Sequence, residues 1–231
     1  MCDRPDWQYD DLRQVGLDFA DPAEVTTYDD RQSTKLDEDR ALIMMLGVTP
    51  EHEVADIGCG TGLLVAAAAE FCRRVVAIDA SPAMLAATAA RAKSMRLGNI
   101  ETQHASFLSF EAQPNSIDLI TTKFALHHLP DLWKGVALTR INQALKPGGK
   151  LFIRDVVLNC GPSEISEVAE SWIAWMTANT GYSRAETATH LREEHSTYGW
   201  IMERLLEEAG FTIVRAAYEP PVYADYIAVK S

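Results

Sequence analysis

The sequence predicts an α/β fold. It is a doubly wound, mostly parallel sheet of seven strands ending in an antiparallel hairpin, with helices on both faces. Three observations predict it. Residues 53–57 form a strand-like run that breaks into Gly58-Cys59-Gly60-Thr61-Gly62 and then an alanine-rich helical stretch. Strand-like runs then alternate with helical segments as far as residue 156, the β-α-β order that calls for right-handed crossovers and parallel strands. Near the end, two strand-like runs are joined only through Glu219-Pro220-Pro221, a link too short for anything but an antiparallel pair.

The elements follow in order. Residues 1–40 are polar and acidic, with Trp7, Tyr9, Phe19 and Tyr28 interspersed. The echo of Tyr9-Asp10-Asp11 in Tyr28-Asp29-Asp30 is too short to count as a repeat. Apolar residues at 41, 42, 45 and 46 give 37–46 a helical spacing, ended by Gly47 and Pro50. A strand over 53–57 leads through the glycines to a helix over 63–71. Residues 74–78 form a second strand, with Asp79 at its end. Ser81 caps the next helix and Pro82 opens its first turn, and that helix runs to about residue 97. A short third strand spans 99–103, and a fourth spans 117–122 after the turn Pro114-Asn115-Ser116. A helix over 132–145 ends at Lys146-Pro147-Gly148-Gly149, before a fifth strand over 150–156. Residues 160–200 hold a helical, aromatic-bearing segment with Trp172 and Trp175. A helix over 199–209 is stopped by Gly210, and strands over 211–218 and 223–230 form the hairpin.

Composition narrows the function. The 231 residues suit one large α/β domain or two small ones, and 47% apolar residues suffice for a core. No apolar run approaches the ~20 residues needed to span a bilayer. Met1-Cys2-Asp3-Arg4-Pro5-Asp6 lacks the basic and apolar parts of a signal peptide, so a soluble, cytoplasmic protein is expected. Cys2, Cys59, Cys72 and Cys160 have no C-x-x-C spacing, which argues against a disulfide framework or a structural zinc site. The net charge is −12 and no basic run exceeds Arg73-Arg74, which weighs against a nucleic-acid substrate and favours a small molecule.

The chemistry concentrates at the glycine turn. Glycines at 58, 60 and 62 let backbone approach a ligand where a Cβ would obstruct it, and the helix that follows points free N–H groups back at the turn. In such sheets the ligand lies beyond the carboxyl ends of the strands, where strand order reverses. Asp56 at the strand end calls for a ligand with a cationic part. Asp79 suits two ribose hydroxyls.

Asp56-Ile57-Gly58-Cys59-Gly60-Thr61-Gly62 resembles the first motif of class I S-adenosylmethionine-dependent methyltransferases. Asp79 stands where that family places a ribose-binding acid, and Leu145-Lys146-Pro147-Gly148-Gly149-Lys150-Leu151 resembles its turn into the fifth strand. Phe124-Ala125-Leu126-His127-His128-Leu129 resembles the segment after the fourth strand in the ubiquinone/menaquinone-type (methyltransferase type 11) small-molecule branch. The resemblance covers 53–156 and, less closely, 199–230, but not 1–40 or 160–198. It implies a Rossmann-like fold and S-adenosyl-L-methionine as cofactor, with S-adenosyl-L-homocysteine as product and no metal. It implies cofactor-binding positions at Asp56, Gly58, Cys59, Gly60, Gly62, Asp79, Ala80, His104, Ala105, Ser106, Lys123 and Phe124. The chain then divides into an N-terminal helical cap (1–46), a cofactor-binding core (47–158), a helical lid or substrate insertion (159–198), and a closing helix and hairpin (199–231). The expected partner is a small-molecule acceptor methylated by in-line displacement, with neither nucleic acid nor a membrane span. A homodimer stays open.

Some positions depart from the pattern or leave choices. Where branch members often carry an acid to meet adenine, this chain has His104 and Ser106. Neutral His104 could accept from the adenine amine, or it is an exposed loop residue while backbone holds the base. His127 and His128 are read as extended, so they point opposite ways, and no H-x-x-x-H or clustered carboxylate completes a metal site. One of them, His128 by preference, is a candidate for touching substrate. The polar run 189–198 is either a lid over the pocket or a solvated helix end, with His195 and Glu194 as candidate bases. Tyr28 either closes over the cofactor or packs on the surface. Two other functions stay open. One is a non-catalytic cofactor binder. The other is a nicotinamide-dependent oxidoreductase, disfavoured because Leu63 sits where G-x-G-x-x-G needs its third glycine.

Overall fold

The structure, a computed structural model, describes residues 5–13, 25 and 35–231. Tyr28 and Cys2 lie outside the described residues. The strands are β1 (Glu53–Ile57), β2 (Arg74–Asp79), β3 (Ile100–His104), β4 (Ile117–Lys123), β5 (Leu145–Leu158), β6 (Thr197–Tyr198), β7 (Phe211–Glu219) and β8 (Tyr223–Lys230). The helices are α1 (Leu36–Met45), α2 (Leu63–Ala69), α3 (Pro82–Ser94), α4 (Asp131–Ala144), α5 (Ile165–Asn179), α6 (Arg184–Glu193) and α7 (Gly199–Glu208).

One mixed sheet has the order β3-β2-β1-β4-β5-β8-β7. β1 pairs in parallel with both β2 and β4, so strand order reverses beside the glycine turn. β8 runs antiparallel to β5, and β7 antiparallel to β8, which is the expected hairpin. Strand alternation fills two layers. Ala55, Ile57, Ile120, Leu151 and Ile153 pack with Leu138 and Ile141 of α4 and Leu206 of α7. Val54, Leu119 and Phe152 pack on the other face with Ile43 of α1 and Leu64, Val65 and Ala68 of α2. The small side chains Ala66, Ala67 and Ala68, each at most 1% exposed, bring α2 close to the sheet. Each fully buried Leu, Ile or Phe contributes ~1.5–3 kcal/mol of transfer free energy.

The structure departs from the sequence reading in several places. β5 begins at Leu145, which pairs with Ile117, so the Lys146-Pro147-Gly148-Gly149 turn lies inside the strand as an irregularity rather than before it. The 160–200 segment is two helices. Ser183 and Glu186 form a reciprocal capping box that restarts the chain as α6, with Ser183 Oγ accepting from the Glu186 N–H at 3.2 Å. An additional two-residue strand, β6, pairs in parallel with the end of β5, off the seven-strand path. Two residues carry no periodicity, so only the neighbouring strand identifies them. Among the described residues no helix is long and apolar enough to cross a membrane.

Candidate functional site

An open cleft, about 760 Å³ when the solvent-filled space at its mouth is counted, lies beyond the carboxyl ends of β1, β2 and β4. Its floor is the turn after β1. Gly58, Gly60 and Gly62 all have positive φ (73°, 54° and 78°). A Cβ at Gly58 would overlap the Ala125 methyl, so backbone alone fits there. The turn is braced from below, since the Gly58 and Cys59 N–H groups donate to Ile78 O at 2.8 and 3.0 Å. Asp79 stands at one end of the floor. Its Oδ2 accepts from Gly60 N and its Oδ1 from Ser81 N, both at 2.8 Å. Burial pushes the Asp79 carboxyl up, and these backbone donors oppose the shift.

The expected cofactor positions separate into two groups. Gly58, Gly60, Asp79, Ala80, Ala105, Ser106 and Phe124 line the cavity. Phe124 holds φ 53°, unusual for a side-chain-bearing residue, while its N–H donates to Arg154 O at 2.8 Å. Asp56, Cys59, Gly62, His104 and Lys123 are not among the lining residues. Asp56 is 3% exposed behind the turn and accepts from Thr121 Oγ1 at 2.6 Å. Burial raises its pKa to about 7, against the pull of Thr121 and Lys123. Cys59 is buried and its thiol is pushed well up by that burial. Gly62 opens α2, where a Cβ would meet Thr88 Oγ1 at 2.6 Å. Lys123 pairs with buried Asp39 of α1 at 2.5 Å. His104 is exposed at the end of β3, with Nε2 3.0 Å from Ala80 O.

Sequence reasoning missed the segment 5–13. Asp11 and Arg13 line the cavity opposite the turn. Asp11 Oδ2 accepts from Leu108 N at 2.9 Å, Tyr9 donates to His128 O at 3.3 Å, and Trp7 stacks on Trp133. Only the aromatic and acidic character of Tyr9-Asp10-Asp11 hinted at this strap.

The histidine pair is arranged differently from the extended reading. His127 and His128 lie in a single 3₁₀ turn, Leu126–His128, with ring centroids 4.3 Å apart. His128 lines the cavity, and His127 turns away from it toward β5 and α6. Asp155 accepts from the His127 backbone N–H at 3.0 Å and from His127 Nδ1 at 2.5 Å. Glu194 Oε2 lies 3.1 Å from His127 Nε2 and 2.5 Å from His190 Nδ1. The end of the polar run is therefore turned inward rather than solvated, with the Glu194 side chain only 8% exposed. Burial alone would lower the His127 pKa, but Asp155 and Glu194 outweigh it and raise it to about 9. His128 is pushed down to about 3 by burial and by neighbouring His127. Glu194 is held below its usual range, because its two histidine partners overcome burial.

His195 is half-buried, and its backbone does the anchoring. Its N–H donates to His127 O at 2.8 Å, and Lys134 Nζ donates to its carbonyl. Its ring meets Tyr9 edge-on. Of the tryptophans, Trp172 is buried against Val156, Leu158 and Val222, while Trp175 and Trp200 are exposed.

Known proteins bear on this architecture. A family described as methyltransferase domain matches residues 54–149. Carboxy-S-adenosyl-L-methionine synthase of Ectopseudomonas mendocina is 33% identical over 198 residues, 78% of this chain and 77% of that protein. An uncharacterized methyltransferase of Bacillus cereus is 31% identical over 162 residues, 69% of each chain. Among solved structures, a SAM-dependent methyltransferase from Aquifex aeolicus superimposes with TM-score 0.67 at 19% identity, covering 91% of this chain and 99% of its own. Phosphoethanolamine N-methyltransferase 2 of Haemonchus contortus, solved with S-adenosyl-L-methionine, gives TM-score 0.70 at 17% identity over 91% of this chain and 57% of that one. The fold, the glycine turn at its switch point and the two long sequence relatives agree, and the chain belongs to the class I S-adenosylmethionine-dependent methyltransferases.

Proposed function

We propose that the chain transfers a methyl group from S-adenosylmethionine to a small-molecule acceptor, leaving S-adenosylhomocysteine. The observation that carries this reading is the pairing of a side-chain-free floor at Gly58 with the Asp79 carboxylate at its edge, inside one cavity. The residues present fit the cofactor. Asp79 keeps lone pairs beyond its two backbone bonds for ribose hydroxyls. Ala105 and Ser106 offer a flat flank for adenine, and the glycines let backbone N–H groups come close. Asp56, ionised, sets a negative charge beneath the turn for the cationic methionine end.

When bound, the cofactor supplies a sulfonium-activated methyl that a nucleophile takes in line. The chain's own task is positioning and drying, for which effective molarities offset ~7–11 kcal/mol. Phe124, His128 and Leu129, from the segment after β4, line the same cavity, and we assign acceptor contact to them. Neutral His128 suits hydrogen bonding to an acceptor better than strong base catalysis, because its protonated form is so weakly held. Residues 1–46 act as cap, 47–158 as cofactor core, 159–198 as lid and 199–231 as closing unit. The burial of Trp172 and of the Glu194 side chain against the core supports the lid role.

Calorimetry tests the reading. S-Adenosylmethionine and S-adenosylhomocysteine should bind with roughly micromolar affinity, near −8 kcal/mol. Binding of NAD with no binding of either sulfur compound would overturn it. Cofactor binding without turnover across a panel of hydroxyl, amine, thiol and carbon acids would favour the non-catalytic alternative.

A further inference from the structure

Behind the cavity wall, four segments converge on one buried point. His127 comes from the turn after β4, Asp155 from β5, His190 from α6, and Glu194 from the residue that caps α6. We propose that His127, His190 and Glu194 bind a divalent transition-metal ion of the zinc class, a site that fastens the 159–198 segment to the core.

The donor atoms are already gathered. One nitrogen of each imidazole and one Glu194 oxygen all lie within 4.8 Å of one another. Around a tetrahedral ion with bonds near 2.0–2.1 Å, donors sit about 3.3 Å apart. The His127 Nε2 to Glu194 Oε2 distance, 3.1 Å, is close to that, and the 2.5 Å from Glu194 Oε2 to His190 Nδ1 needs only a small opening.

An independent observation points the same way. A metal-binding histidine characteristically donates its far ring N–H to an oxygen, which fixes the tautomer and aims the other nitrogen. Both histidines here have an oxygen placed to receive that N–H once the other nitrogen takes the ion. His127 Nδ1 faces Asp155 Oδ1 at 2.5 Å, leaving Nε2 for the ion. His190 Nε2 faces Ser196 Oγ at 2.8 Å, leaving Nδ1. Asp155 is itself pinned by the Val156 N–H at 2.8 Å.

Charge and access agree. An ion that displaces the His127 proton meets two buried carboxylates and two neutral imidazoles, a charge of −2 that a divalent ion brings to zero. The set of two imidazoles and one carboxylate suits zinc with one position left for water. The same set holds iron(II) in open oxygenase sites. Here the donor side chains are only 7–15% exposed and the Trp172 ring closes edge-on over His190, so little space remains for three further ligands. His128 separates the point from the cofactor cavity, which puts the ion on the acceptor side.

The test is metal content and affinity of the whole chain, with no acceptor needed. Chain stripped with chelator and dialysed against zinc should regain one ion per chain by elemental analysis. Cobalt in its place should give the visible absorption of a four-coordinate N/O site. Glu194→Gln and His190→Ala should each abolish stoichiometric binding, and Asp155→Asn should weaken it about 10- to 100-fold. S-Adenosylhomocysteine affinity serves as the folding check, because the cofactor floor lies on other elements. Zinc should also slow protease cleavage between α5 and α6 in the parent chain and not in Glu194→Gln. If the parent chain takes up no zinc, cobalt, iron or manganese, or if folded Glu194→Gln and His190→Ala bind as it does, the proposal fails. The cluster is then a hydrogen-bonded relay in which His127 bridges two carboxylates.

Discussion

The two walls of the cavity are made of different material. On the Asp79 side, backbone does the work: a turn of left-handed glycines, N–H groups tied to Ile78 O, and one carboxylate held by two neighbouring amides. On the His128 side, side chains do it. A 3₁₀ turn carries two imidazoles in contact at a tilt, backed by Asp155 of β5 and by His190 and Glu194 brought in by α6. The first wall depends on what the chain lacks, a Cβ at Gly58. The second depends on every partner being present, because an unpaired buried charge is costly. A backbone wall suits a ligand common to a whole family, and a side-chain wall can change with the acceptor.

The contrast can be broken at its most loaded point. Asp155→Ala removes the carboxylate that receives both His127 N–H groups and leaves buried charge behind. It should lower unfolding free energy by about 3–5 kcal/mol in chemical denaturation, as breaking a buried pair does. A loss below 1 kcal/mol would mean the side-chain wall is not held as described. Gly58→Ala attacks the other wall. The left-handed φ costs about 1–2 kcal/mol and the overlap with Ala125 a further 1–3 kcal/mol, and S-adenosylhomocysteine binding should disappear in calorimetry.

Smaller effects sharpen the comparison. Asp79→Ala should weaken cofactor binding by about 1.5–3 kcal/mol, roughly 10- to 150-fold, and lower the thermal midpoint by a few degrees, because the Gly60 and Ser81 N–H groups lose their acceptor. Unchanged affinity would remove Asp79 from the ribose site.

Asp56 predicts a pH dependence. Its folded pKa is raised, from the usual 3.8 to about 7, so the unfolded chain loses this proton first. Its contribution is therefore fully present below about pH 4 and is lost as pH rises toward 7, by up to about 1.4 kcal/mol per pH unit. Cofactor affinity should move oppositely, tightening as Asp56 ionises between pH 6 and 8. Asp56→Asn should flatten both trends in pH-dependent melts and titrations. The smallest effect belongs to the exposed Arg184–Glu170 pair at the start of α6, where Arg184→Ala should leave the melt within error.

How much of this was legible in the chain follows from how far apart the cooperating residues lie. The glycine turn, the Ser81 cap and Asp79 were all readable because each acts within its own strand-turn-helix unit. The alternation of strand and helix carries the parallel sheet, and the proline-rich link carries the hairpin. The Ser183–Glu186 capping box is equally readable from its spacing, and it divides the 160–200 segment into two helices. Reading His127 and His128 as extended was wrong because nothing local marks a 3₁₀ turn. His190 and Glu194, four apart at the end of one helix, offered half a signal that meant little without His127.

By itself the sequence determined the parallel sheet, its switch point and the glycine turn there. Those rest on glycine's missing Cβ, on hydrophobic period and on acids placed at strand ends, all properties of short segments. Only the tertiary structure decided that Asp56 and Lys123 stand behind the floor rather than in it. It alone brought the 5–13 strap across the cavity and gathered His127, Asp155, His190 and Glu194 into one buried cluster. These contacts join distant parts of the chain, and their energetics depend on burial and mutual charge, quantities that exist only once the sheet and its insertion have packed together.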